Sequence, residues 1–278
     1  MALPAYTTTS EKISYYGLRV FVGAVLLFLI APILSIMPLS FNSETFFSYP
    51  MPGYSTKWYV GEDGFFTSAR WMDALKLSVI VAVATTILST CLGTLAALGL
   101  SRSNIPGRAT IMAVLISPMI VPVIISAIGL FFFYAYVGLN GSLLGIILAH
   151  TALATPFVVI TVTATLMSFD RTLMRAGASC GAPPQTVFFK VVLPLILPGV
   201  ISGALFAFVT SFDEVIVILF IGGPEQRTLP RQMFAGIREQ ISPTITAAAS
   251  VLIVFSTFLL VTVELLRRRG ERLRGIKG

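Results

Sequence analysis

The chain has 278 residues, 56% of them hydrophobic and 11% charged, and a mean hydropathy of +0.90. Soluble domains carry roughly 25% charged residues, so a soluble domain is excluded. The net charge of +7 would suit nucleic acid, but the basic residues gather at the ends of apolar segments, which is how membrane topology is set. Cys91 and Cys180 fall in different segments without metal-ligand spacing and read as a small helix residue and a small loop residue. A single histidine gives little material for a metal site or a Ser-His-Asp triad.

Six apolar runs read as membrane-spanning helices, at 17–39, 77–100, 109–134, 143–167, 196–221 and 244–266. Each exceeds the roughly 20 residues that a crossing needs, so the fold class is an all-α polytopic membrane protein. The first run carries Lys12 and Arg19 at its start. It is too long for the apolar region of a signal peptide and lacks a small-x-small cleavage site, so it is expected to stay as a first span after a tail of residues 1–16. Residues 40–76 hold Phe46, Phe47, Trp58, Tyr59, Phe65, Phe66 and Trp71, an aromatic set suited to the membrane interface.

No Asp, Glu, Lys or Arg occurs from Ala109 to Phe169. Pro32, Pro118, Pro122, Pro156 and Pro198 lie within spans, where neighbouring helices can satisfy the carbonyls that proline frees. Between the last two spans, Pro230 suits the first turn of a short outer helix with Met233, Phe234 and Ile237 on one face. The positive-inside rule sets orientation. With both termini in the cytoplasm, 13 Lys and Arg residues lie inside against 6 outside. Four crossings then return the chain to the cytoplasm near Phe169.

There, a small-residue turn, Arg175-Ala-Gly-Ala-Ser-Cys-Gly181, is followed after ten residues by Val191-Val-Leu-Pro194. Position, spacing and the Leu-Pro entry into the next span resemble the EAA loop of ABC-importer permeases. Phe206-Ala-Phe-Val-Thr-Ser-Phe-Asp-Glu-Val-Ile-Val, Ser40-Phe-Asn-Ser, the 53–59 segment and Leu148-Ala-His150 are similar to the spermidine/putrescine members of that family. The resemblance implies a type I importer bundle in a bacterial inner membrane, with a permease domain at 17–267 and a basic tail at 268–278. It also implies a cytoplasmic loop of about 170–195 that forms two short helices around a glycine turn and docks on an ATPase.

The docking residues it implies are Arg175, Ala176, Gly177, Ala178, Gly181, Leu193 and Pro194, with Pro194 and Pro198 turning the chain into the fifth span. Arg175 stands where the family usually has glutamate, and Gly177 where it has a second alanine, so docking would rest on small-residue shape and Gly181. The implied partners are two ATPase copies that bind ATP and Mg, a related second permease and an extracytoplasmic binding protein. Relatives of the family also carry opines, phosphonates, other amines and ferric iron. The chain itself has no Gly-x-x-x-x-Gly-Lys-Ser/Thr phosphate loop, so no cofactor or catalysis of its own is expected.

Asp213 and Glu214 lie in the fifth span. A carboxylate in lipid costs at least about 2.5 kcal/mol and should face an aqueous path or a partner; a polyamine would be a natural counter-charge. Asp213, with Ser211 nearby, is the expected path-facing acid, and Glu214 is expected to contact another helix; the alternative is that one or both acids hold a permease pair together through hydrogen bonds. His150 is expected to make an interhelical hydrogen bond, and Glu264 an ion pair with Arg268 at a helix end. The basic run from Arg267 suits anionic lipid as well as topology. An ATPase-independent secondary transporter or channel is the main rival reading; it leaves the 170–195 loop unexplained, and the two halves show no inverted repeat. A membrane-embedded enzyme lacks clustered catalytic groups.

Overall fold

The computed structural model describes residues 8–48, 50–101, 105–167, 169–239 and 242–273. Arg102 and the run beyond Leu273 lie outside them, and the side chains of Glu264, Arg267 and Arg268 are likewise not described. The chain divides into two units, residues 1–68 with 240–253 and residues 69–239 with 254–278.

In the first unit, α1 (Thr9–Leu39) starts earlier than the apolar run, so residues 9–16 are helical rather than tail. A capping box fixes this start: Glu11 N–H donates to Thr8 Oγ1 (3.3 Å) and Thr8 N–H to a Glu11 carboxylate oxygen (2.8 Å). No residue of α1 is buried. The aromatic segment after it is a folded lobe around α2 (Lys57–Val60). Ser40 Oγ and Tyr59 OH are 2.6 Å apart, Trp58 Nε1 donates to Asn42 O (2.7 Å), Phe41 stacks on Tyr59, and Phe65 is fully buried. Trp58 and Tyr59 are partly buried, while Phe41, Phe46 and Tyr54 remain exposed.

The second unit is built on α3 (Ala69–Leu100), α4 (Arg108–Ile120), α5 (Val123–Val137), α6 (Leu143–Met167), α7 (Thr172–Ser179), α8 (Pro184–Val187), α9 (Leu193–Asp213), α10 (Ile216–Ile221) and α11 (Leu229–Glu239); α12 (Pro243–Leu273) ends the described chain. Helices α3, α6 and α9 pack mutually, with α6 at the centre. Small residues let them approach. A Cβ on Gly93 would lie 2.6 Å from Val158 Cβ, and one on Gly203 would lie 2.6 Å from Thr161 Oγ1 and 2.9 Å from Val158 Cα. Such close backbone approach is how membrane helices associate when no hydrophobic drive separates lipid from protein.

Among the described residues five helices are long and apolar enough to cross a membrane, and α4 with α5 makes a sixth pass as a pair bent by 102°. The third span is therefore broken, not continuous over 109–134. Pro122 has no N–H to donate, and it drives Val121 to an extended conformation (φ −70°, ψ 133°).

Three tethers show that the pair still crosses. Arg171 donates to Ser101 O at one end of the bundle. At the other end Gly141 N–H donates to Ile221 O (2.8 Å) and Leu229 N–H to Ser78 Oγ (2.7 Å). The pair begins seven residues after Ser101 and ends four before Gly141, so it joins the two ends. The six-pass count stands.

Candidate functional site

The 170–195 loop begins where Asp170 Oδ1 accepts from Thr172 N–H (2.9 Å). This bond holds the Asp170 carboxyl below its ordinary value. Helix α7 then closes in a Schellman turn: Ala182 N–H donates to Gly177 O (3.2 Å) and Gly181 N–H to Ala178 O (2.9 Å). Gly181 sits at φ +76°, where a side chain is strained. Ala176, Ala178, Ser179 and Cys180 are exposed around this turn.

Gly177 is different. A Cβ there would meet Val187 Cγ2 at 3.1 Å, so Gly177 serves the contact between α7 and α8 and not an outer surface. Arg175 is exposed and makes no ion pair among the described residues. It borders a cavity of about 610 Å³ with Arg171, Met174, Phe169, Phe188 and Val192.

The second arm of the loop is not a separate short helix. Pro184 opens α8, a π-helical stretch Phe188–Val192 follows, and α9 continues from Leu193, giving 30 helical residues from Pro184 to Asp213. Leu193 N–H reaches back to Phe188 O, and the widened turn falls just before Pro194, which has no N–H to offer the ladder. Pro194 therefore sits in the first turn of α9 and Pro198 within it; neither redirects the chain. Leu193 is half-buried and Pro194 exposed.

At its other end the fifth span is interrupted. Helix α9 stops at Asp213, Glu214 is extended (ψ 120°), and α10 restarts at Ile216. The sequence carries a signal for this that hydropathy hides: Glu214-Val-Ile-Val217 places three β-branched residues, each poor in helices, after a side chain that can cap. Glu214 Oε1 accepts from Val217 N–H (3.0 Å), so Glu214 caps α10 of its own span and does not reach across to a separate one. Asp213 is exposed and makes no hydrogen bond or ion pair among the described residues.

Ser211, expected beside Asp213 on a path, is buried, with its hydroxyl 2.9 Å from His150 Nδ1. This is a bond between α9 and α6, so Ser211 ties two helices together and is not exposed beside Asp213. His150 is 1% exposed, and its Nε2 has no partner among the described residues.

The short outer helix expected around Pro230 is α11, with Pro230 in its first turn. Leu229 and Gln232 are buried, while Phe234 and Ile237 are exposed. Arg231, beside it, donates to Gly223 O (2.6 Å) and Gln226 O (3.0 Å).

Comparison with known proteins gives these features a setting. A family model described as "Binding-protein-dependent transport system inner membrane component" matches residues 89–272. The spermidine/putrescine transport system permease protein PotC of Haemophilus influenzae is 30% identical over 251 residues, 90% of this chain and 96% of that protein. The putrescine transport system permease protein PotI of Escherichia coli is 32% identical over 233 residues, 81% of this chain and 82% of its own length. In fold, the chain is similar to one in the crystal structure of a bacterial ABC transporter involved in the import of the acidic polysaccharide alginate, with a TM-score of 0.72, 16% identity and coverage of 95% and 99%.

Proposed function

This chain belongs to the family of binding-protein-dependent transport system inner membrane components, and from that premise we propose that it conducts a polyamine of the spermidine/putrescine class, driven by an ATPase docked on the 170–195 loop. It is a multi-pass permease subunit of an ABC importer. Its orientation puts both termini and the loop in the cytoplasm of a bacterial inner membrane. Two ATPase copies bind ATP and Mg, a related second permease completes the pathway, and an extracytoplasmic binding protein delivers the cargo.

The observation that carries this reading is the unbroken helical run from Pro184 to Asp213. It starts at the Gly181 turn and ends at an exposed carboxylate. At 1.5 Å per residue it is about 45 Å long, so a push on the loop reaches Asp213 through one rod. ATP-driven closure of the ATPases would move the loop, rock the helices and turn the cavity outward to accept cargo; hydrolysis would return it inward. Asp213 supports a cationic cargo, since an unpaired acid at a break within a span gains from a cationic counter-charge.

Purification of the whole transporter from membranes tests the docking step. Gly181→Val forces a β-branched side chain into a left-handed turn, at about 1–2 kcal/mol. The ATPase should be lost from the purified complex while the permease remains folded. Retention of a full complement of ATPase by Gly181→Val would overturn the reading.

A further inference from the structure

Half of the basic residues expected outside the cytoplasm stand within twelve positions of one another: Arg227, Arg231 and Arg238. They lie one crossing away from the 170–195 loop, on the side that disfavours positive charge. All three line one pocket of about 400 Å³, with Gln232 and the apolar Leu219 and Phe234. Among the described residues no carboxylate pairs with any of them. Burial, and after it the neighbouring Arg227 guanidinium, push Arg231 below its ordinary value.

Two of the guanidiniums are oriented by the chain itself. Arg231 Nη1 is fixed by the carbonyls of Gly223 and Gln226, and Arg227 Nε by Pro224 O (3.1 Å). Both keep donors free. Gln232, 5% exposed, lines the same pocket.

We propose that this pocket binds a phosphate-type anion through Arg227, Arg231 and Arg238. The planar fork of arginine matches the oxygens of phosphate. A free phosphate ion presents such oxygens, and so does the headgroup of phosphatidylglycerol. The lipid would also lay its chain against exposed Leu219 and Phe234 at the end of the span.

The test uses the purified full chain in phospholipid-free detergent micelles, titrated calorimetrically with inorganic phosphate, short-chain phosphatidylglycerol and N-acetylglutamate. The wild type should bind a phosphate probe, and Arg227→Gln/Arg238→Gln should bind it about tenfold or more weakly, since hydrogen bonds to charged groups are individually worth that much. Tighter binding of phosphatidylglycerol assigns the site to a headgroup; equal or tighter binding of inorganic phosphate assigns it to the free ion.

Among the described residues Arg238 makes no side-chain hydrogen bond, and Arg227 makes one, to its own loop, so the double variant should fold. If it does not, Arg227→Lys/Arg238→Lys keeps the charge, loses the fork, and should still bind the phosphate probe several-fold more weakly. No phosphate binding by the wild type, unchanged binding in the variants, or equal binding of N-acetylglutamate would overturn the proposal.

Discussion

At Gly93 and Gly203 the missing side chains let α3 and α9 come into contact with α6, whereas at Ala176, Ala178 and Gly181 small residues face outward around a tight turn. In sequence the two sets look alike. The difference lies in what a Cβ would meet: Val158 or Thr161 in the bundle, nothing within 4 Å at Gly181. Small residues inside the bundle set helix spacing; small residues on the loop leave a surface that another protein can approach. Gly177 shows how fine the division is, because it lies in the loop yet packs on Val187.

The bundle set should be the more costly to disturb. Gly203→Leu places atoms against the Val158 backbone, and overpacking of this kind costs about 3 kcal/mol or more; the expected outcome is loss of monodisperse protein in detergent. A normal melting temperature for Gly203→Leu would break the comparison. Next comes Ser211→Ala, which leaves His150 Nδ1 buried without a partner at about 1–3 kcal/mol, read as a lower melting temperature.

The two carboxylates should then separate by readout. Asp213→Asn should raise the apparent KM for putrescine about tenfold, the worth of one charge-assisted contact, with assembly intact. Glu214→Gln keeps a capping oxygen and should cost under about 1 kcal/mol without changing affinity. If Asp213→Asn transports normally and loses its permease partner, the acid holds the pair together and does not line a path.

Hydropathy made the six passes legible, because a bilayer demands long apolar helices and little else. It was blind to the breaks within them. The bend at Val121-Pro122 and the restart at Ile216 are matters of backbone hydrogen bonding, and an apolar scale assigns them no signal. The aromatic 40–68 segment was legible in composition but not in use: Phe65 and Trp58 fold a lobe, a choice that depends on Asn42 and Ser40 as partners. For the site, the Gly181 turn could be read from spacing. The burial of Ser211 could not, since its partner His150 lies 61 residues away. The buried side of α11 was not legible, because Gln232, a polar residue, lies on it.

The loop supplies its own probe for the central claim. Cys180 is a free, exposed thiol beside Gly181, and Cys91 is a free, exposed thiol on α3. In membranes holding the whole transporter, a short thiol-to-amine crosslinker should join the permease to its ATPase. The product should vanish in Cys180→Ser and persist in Cys91→Ser. A crosslinked ATPase that survives Cys180→Ser, or a loop thiol that never reaches an ATPase, would contradict docking on this loop.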